Sequence, residues 1–210
     1  MDSSLTGKER TMEKNEVFKV KERHYRKDEE FMLVGLLKAC AKNKDVYKGA
    51  QIHAEILQKG LLGKNPYLAS SLVSMYAKCG DLAKARRLHD ELPKGSIVSW
   101  NALISGYAQL GHGQEALNCL EKMQGEGFSP DSVTFICILK ACGSIGAINK
   151  GKQIHDEILR KGLFEKNVLL GTSLVDMYAR CGMLYKAERV FDDLSIRSRV
   201  SWSALISGYV

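Results

Sequence analysis

The chain echoes itself at a spacing of 102 residues. Met75-Tyr76-Ala77-Lys78-Cys79-Gly80 returns as Met177-Tyr178-Ala179-Arg180-Cys181-Gly182, Gln51-Ile52-His53 as Gln153-Ile154-His155, Leu37-Lys38-Ala39-Cys40 as Leu139-Lys140-Ala141-Cys142, and Ser99-Trp100 as Ser201-Trp202. Between residues 37 and 108, roughly 40 of some 70 positions match their partner, which marks an internal repeat. A repeated chain folds as a stack in which each unit leans on its neighbours, and such stacks offer extended surfaces for recognition more readily than closed clefts for chemistry.

The repeat is itself subdivided, and helical spacing shows how. Leu184, Ala187, Phe191 and Leu194 fall on one helical face, and Leu170, Leu174 and Tyr178 form an i, i+4, i+8 stripe before them. Between the two lies Cys181-Gly182, where glycine can end a helix in the left-handed conformation. The spacing predicts a helical hairpin over 168–198 and a copy of it over 66–96. A second hairpin type is predicted over 97–131, with Trp100, Leu103, Ile104 and Tyr107 on its first helix and Ala116, Leu120 and Met123 on its second. That second helix should stop before Gly127 and Pro130. A third type is predicted over 132–167, with Phe135, Ile138 and Leu139, then Ile154, Ile158 and Leu159; residues 30–65 repeat it. No alternating strand pattern occurs.

These units predict an all-α fold, a right-handed α-solenoid of stacked helix-turn-helix hairpin repeats, with first helices along one face and second helices along the other. The sixth unit, 199–210, stops about a third of the way through. Its apolar helix (Trp202, Leu205, Ile206, Tyr209) is then expected to lack a covering second helix, and the sequence reads as truncated there.

Charge and cysteine usage narrow the function. The net charge is +7, and residues 1–30 hold as many acidic as basic side chains, so the whole excess lies in the repeats. A basic repeat surface suits a polyanion partner, although a solvated basic face accounts for the charge equally well. The six cysteines form no C-x-x-C pair, and four of them recur at the repeat spacing inside apolar stretches, as small packing residues in a reducing compartment would. No apolar run has the length of a membrane helix. Residues 1–29 read as a polar, charged, flexible lead-in; they lack the apolar core of a secretory signal, and their acidic residues argue against an Arg- and Ser-rich transit peptide.

The segment Val98-Ser99-Trp100-Asn101-Ala102-Leu103-Ile104-Ser105-Gly106-Tyr107, closing in Pro130-Asp131, resembles the standard motif of pentatricopeptide repeat proteins. Thr134-Phe135 with Leu139-Lys140-Ala141-Cys142 and Gly151-Lys152-Gln153-Ile154-His155 resembles the long motif, and Leu174-Val175-Asp176-Met177-Tyr178-Ala179-Arg180-Cys181-Gly182 the short one. The alternation of long (30–65, 132–167), short (66–96, 168–198) and standard (97–131, then incomplete 199–210) units is similar to that of the plant-type subfamily. The resemblance implies sequence-selective binding of single-stranded RNA, about one base per repeat. The chain would act as a specificity factor in organelle RNA processing or C-to-U RNA editing, in a mitochondrion or chloroplast. It implies no catalysis by this chain and no cofactor, metal or membrane, with single-stranded organellar RNA as partner and a separate deaminase or editing cofactor protein alongside. The competing reading is a protein-binding scaffold of the tetratricopeptide kind, whose units run uniformly to about 34 residues.

In the family, the fifth residue of a motif and its last residue read the base. Carried over, the standard unit gives Asn101 with Asp131, resembling a uracil reader. The short units give Ser70 with Ser96 and Thr172 with Ser198, where the small fifth hydroxyl leans toward purines and the terminal Ser departs from the usual Asp or Asn. The incomplete unit gives Ser203. The long units pair Val34 with Asn65 and Ile136 with Asn167; an apolar fifth side chain cannot hydrogen-bond a base, so these units are expected to be spacers. The second residue, Val98 and Val200 and by extension Tyr67 and Leu169, would pack between bases, or else only pack at the helix start.

Other signals imitate chemistry. His-x-Glu occurs at His53, His89 and His155, as in zinc deaminases, but the P-C-x-x-C that such enzymes also need is absent. Cys142 and His155 lack an orienting partner for nucleophilic catalysis. Trp100 and Trp202 could stack on bases, yet their spacing favours core positions. The second-helix cations Lys84, Arg86, Arg87, Lys122, Arg160, Lys161, Lys186 and Arg189 read as mostly solvated surface.

Overall fold

The computed structural model describes residues 27–62, 65–92, 95–165 and 167–209, and among them there are eleven α-helices and no strand. Most of the expected lead-in, residues 1–26, lies outside the described residues. The helices are α1 (27–43), α2 (Val46–Gln58), α3 (Pro66–Cys79), α4 (Leu82–Asp90), α5 (Ile97–Gln109), α6 (Gly113–Gly125), α7 (Ser132–Ile145), α8 (Ile148–Arg160), α9 (Val168–Arg180), α10 (Leu184–Asp192) and α11 (Arg199–Ser207). Residues 27–29 belong to α1. Glu29 there is ion-paired with Lys59 at the end of α2, and Glu30 takes a 2.6 Å hydrogen bond from the Asn65 amide.

Local chemistry accounts for the punctuation. Asp45 and Asp81 cap α2 and α4 by accepting the amides of Lys48 at 2.9 Å and Lys84 at 3.0 Å. Between the two helices of a short hairpin the chain reverses at Gly80 (φ 91°) and again at Gly182 (φ 72°), a left-handed conformation that a Cβ would strain.

The layers follow from how the helices pack. From α3 onward each odd-numbered helix lies directly on the next, α3 on α5, α5 on α7, α7 on α9 and α9 on α11, with Cα atoms within 8 Å. Each even-numbered helix packs on the odd helix that follows it, but none of them approaches another even helix that closely among the described residues. The odd layer is therefore the tighter one, and the stack curves with α3, α5, α7, α9 and α11 on its concave side.

The core runs between the layers. Tyr76, Trp100, Phe135, Tyr178, Leu103 and Ile138 are fully buried, each of a kind that contributes about 1.5–3 kcal/mol on leaving water. Leu159 departs from expectation. Ile154 and Ile158 stand four apart and share the buried face, whereas Leu159 is turned a further step round α8 and is half-exposed. On α11, Leu205 is buried, Ile206 is exposed, and Trp202 is half-exposed with one side against Phe191, 4.6 Å between ring centroids; Tyr209, just past the helix, is exposed. No helix among the described residues is long and apolar enough to cross a membrane.

Candidate nucleic-acid interface

Five residues placed last in their units share one structural task. Asn65, Ser96, Asp131, Asn167 and Ser198 are the N-caps of α3, α5, α7, α9 and α11, each accepting a backbone N–H from the first turn with its side chain. Their side-chain oxygens satisfy donors that a helix start leaves orphaned, which is why Asn, Asp and Ser recur there. Capping also fixes each side chain at the seam between two units, and at two seams, Asp131 with Asn101 and Ser96 with Ser70, the cap bonds the fifth residue of its own unit.

The seam is most fully built at Asn101. Its Nδ2 donates to both carboxylate oxygens of Asp131, at 3.1 and 3.2 Å, and its Oδ1 accepts from the Thr134 hydroxyl at 2.6 Å. Asp131 Oδ1 also takes the Thr134 backbone N–H at 2.9 Å, and the Asp131 N–H donates to Thr134 Oγ1 at 3.2 Å, closing a capping box. Burial alone would raise the Asp131 pKa. The hydrogen bonds from Thr134, Asn101 and the Val133 amide outweigh it and hold the carboxyl below its ordinary 3.8. Asn101 and Asp131 each keep part of their surface open.

The other seams differ. Ser70 and Ser96 are brought together, hydroxyl to hydroxyl at 2.9 Å, with Ser99 3.2 Å beyond. Ser70 nevertheless keeps only 7% of its surface exposed. Thr172 is equally buried, and its hydroxyl turns back on the Val168 carbonyl at 2.9 Å, while Ser198 is engaged with Ser201. Ser203 is exposed on α11. Val34 and Ile136 bring only hydrocarbon to seams that Asn65 and Asn167 cap.

Beside this row runs a second one. Val98 and Val200 are 58% and 64% exposed at the first turns of α5 and α11, and Tyr67 and Leu169 are more exposed still on α3 and α9 or comparably so. Phe31 and Val133 occupy the same register position on α1 and α7 and are also exposed. Sequence reasoning missed those two, although counting one residue past each unit's start finds them. Five of these apolar side chains lie in the first turn of their helix and point into water, and Phe31 does so from the second turn of α1; they add nothing to the core, so helix-start packing does not explain them.

Lower on the odd layer, a groove of about 390 Å³ joins Ile136, Thr172 and Ser203 with Val200 and the cations Lys140 and Arg180. Arg180 is held by Asp176 through both carboxylate oxygens, at 2.9 and 3.0 Å. Of the cations expected on the outer surface, Arg87, Lys122, Arg160, Lys161 and Arg189 are exposed, as expected, while Lys84, Arg86 and Lys186 are half-buried. Lys84 lies 4.7 Å from the Tyr76 ring centroid, Arg86 5.7 Å from Trp100 and Lys161 5.2 Å from Phe135, their stems covering apolar rings.

The apparent catalytic groups have structural partners. His53 Nδ1 and Tyr76 Oη are 3.1 Å apart, and His155 Nδ1 and Tyr178 Oη 3.0 Å. His89 packs edge-on against Trp100, 4.2 Å between ring centroids. Burial pushes the Cys142 thiol up to about 11, which keeps it protonated. No three metal-ligating side chains converge among the described residues. Trp100 is buried and cannot stack on a base, whereas Trp202 is half-exposed.

Comparison with known proteins agrees with this architecture. Models of the PPR repeat family match residues 95–144, and of the PPR repeat residues 68–97 and 172–197. A chloroplastic pentatricopeptide repeat-containing protein of Arabidopsis thaliana is 38% identical over 193 residues, 92% of this chain and 31% of its own length. A putative mitochondrial one from the same plant is 38% identical over 183 residues, 87% of this chain and 29% of its own length. The chain thus spans about a third or less of these relatives. Among solved structures, the pentatricopeptide repeat protein PPR10 in complex with an 18-nucleotide psaJ RNA element superposes with a TM-score of 0.67 at 20% identity, covering 83% of this chain and 26% of that one. PPR10 from maize gives 0.60 at 22% identity, covering 84% and 25%. With its repeats matched by the family's models and its helices stacked as in a solved member, the chain belongs to the pentatricopeptide repeat family.

Proposed function

We propose that this chain is part of the base-reading surface of a longer protein that binds single-stranded RNA. Each unit on the concave face would meet about one base, with the fifth and last residues at the seam reading it: Asn101 with Asp131, Ser70 with Ser96, Thr172 with Ser198, and Ser203. Val98 and Val200, with their four counterparts, would pack between the bases. The long units would act as spacers. The observation that carries the reading is the Asn101–Asp131 pair, an amide held by a capping carboxylate on the concave side with donor and acceptor capacity left over. Support for RNA as the partner comes from PPR10, solved with an RNA element, and from the basic excess of the repeats.

The alternation of long, short and standard units supports a role in organelle transcript processing or C-to-U editing, with a separate protein supplying catalysis. The helix starts at Pro66, Ile97, Ser132, Val168 and Arg199 stand 31, 35, 36 and 31 residues apart, unlike a uniform 34-residue array. Relatives named chloroplastic and mitochondrial support an organelle. The test is binding of short RNAs that differ at one base. Asn101→Ser should weaken the preference for U at a single position and leave the others unchanged. A peptide ligand captured with no RNA affinity at low salt would replace this reading with a protein-binding scaffold.

A further inference from the structure

At five seams the chain supplies a third residue, three positions into the following odd helix. It is Leu68 after Val34 and Asn65, Ser99 after Ser70 and Ser96, Thr134 after Asn101 and Asp131, Leu170 after Ile136 and Asn167, and Ser201 after Thr172 and Ser198. All five have no exposed surface. A polar fifth residue is followed by a buried hydroxyl, an apolar fifth residue by a buried leucine. Helix capping alone does not require this match, because Asn65 and Asn167 cap their helices with leucine at the third position.

We propose that this third residue is a specificity-determining position, and that Thr134 sets which face of the Asn101 amide meets a base. The proposal rests on the RNA-binding reading above. An asparagine amide has two donor and two acceptor directions and can flip between them. Here Asp131 takes a donor and Thr134 fills one acceptor direction of Oδ1. The Thr134 hydroxyl has one proton and two oxygens within reach, Asn101 Oδ1 at 2.6 Å and Asp131 Oδ1 at 2.9 Å. Asp131 Oδ1 already receives the Thr134 amide and the Asn101 Nδ2, so the proton serves the shorter contact to Asn101. What is left on the exposed side is one N–H and one lone pair on a side chain held at both ends of its amide. Without the hydroxyl, the amide is anchored at one end only and can swing about its last torsion. Thr134 acts through Asn101 and touches no base itself, so it is a positioning residue.

The experiment compares Thr134→Val, which keeps the shape and the Thr134 N–H bond to Asp131 but deletes the hydroxyl and its bond from the Asp131 N–H, with Thr134→Ser, which keeps the hydroxyl. Fluorescence anisotropy with short single-stranded RNAs varying one base reads the preference ratio at the Asn101 unit. The Val variant should lower that ratio by roughly three- to tenfold, the range one hydrogen bond commands, and the Ser variant should retain it. Should the Val variant fail to fold, Thr134→Ala carries the same comparison. An RNA-free readout accompanies it. The Asn101 Nδ2 protons should show slowed exchange by NMR in the parent and the Ser variant, and lose that protection in the Val variant. A preference that survives Thr134→Val but disappears in Asn101→Ala overturns the proposal and leaves RNA reading intact. Failure of the parent to bind any RNA overturns the RNA reading and the specificity role with it, while the NMR comparison still decides the positioning.

Discussion

His53 and His155 stand at equivalent points of the repeat and each meets a tyrosine hydroxyl across the gap between two helices, Tyr76 and Tyr178. Tyr178→Phe removes one such bond from a buried site and should lower stability by about 1 kcal/mol in a denaturant titration. The histidines also set a pH dependence. Burial holds His53, His89 and His155 below the ordinary 6.5, with the Lys84 charge adding to the effect at His53. The unfolded chain therefore takes up protons on them as pH falls through 6.5, while the folded chain resists. The stability is full above that value and declines below it. The melting temperature should be level from about pH 7 to 8 and drop below about 6.5; a flat profile down to pH 5 would show that these rings titrate freely in the fold. Asp131 acts in a separate window, since its carboxyl sits below 3.8 and its contribution is lost only as pH falls beneath that.

At the scale of the element, close approach decides what each position tolerates. A Cβ on Gly106 of α5 would lie 2.7 Å from Leu82 Cδ2 and 3.2 Å from the Ala77 Cβ of α3. Gly106→Val should cost about 1–3 kcal/mol by forcing the two helices apart. Gly35 in α1 meets nothing within 4 Å and is exposed, so Gly35→Ala should gain up to about 1 kcal/mol of helix stability. Thermal unfolding of the two variants checks both signs. The helices themselves were legible because the apolar stripe of each, such as Leu170, Leu174 and Tyr178, has one period, and because glycines mark the reversals. Leu159 was misread because α8 buries only a narrow face, Gly151, Ile154 and Ile158, and Leu159 lies one step past its edge. At the seams, Asn101 with Asp131 and Ser70 with Ser96 were named from sequence and do meet. Thr134 escaped because its hydroxyl reaches Asn101 across a junction between units, whereas those of Ser99 and Ser201 bond only the caps Ser96 and Ser198. The visible trace was a Ser or Thr three residues after a cap, a pattern that reads as local capping and hides the contact to the unit before.

In the whole molecule, stability is a sum of neighbouring interfaces, because each helix pair touches only the pairs beside it. The helix α11 has packed neighbours in α9 and α10 but leaves Ile206 exposed and Trp202 half-exposed, so its amides should exchange with deuterium sooner than those of α5, α7 and α9. Equal protection along the array would mean that it opens as one unit.

The capping duty of Asn65, Ser96, Asp131, Asn167 and Ser198 reaches beyond folding. A side chain that must start a helix can be drawn from only a handful of types, chiefly Asp, Asn, Ser and Thr. Whatever these seams come to recognise, the vocabulary available for change is fixed in advance by the grammar of the helix start. Exchanges within that small set alter which hydrogen-bonding groups are shown at little cost to the fold. An exchange outside it, such as Asp131→Ala, gives up about 0.5–2 kcal/mol of stability together with the amide's anchor. New preferences can therefore arise by single steps among sister caps, without dismantling the array that displays them.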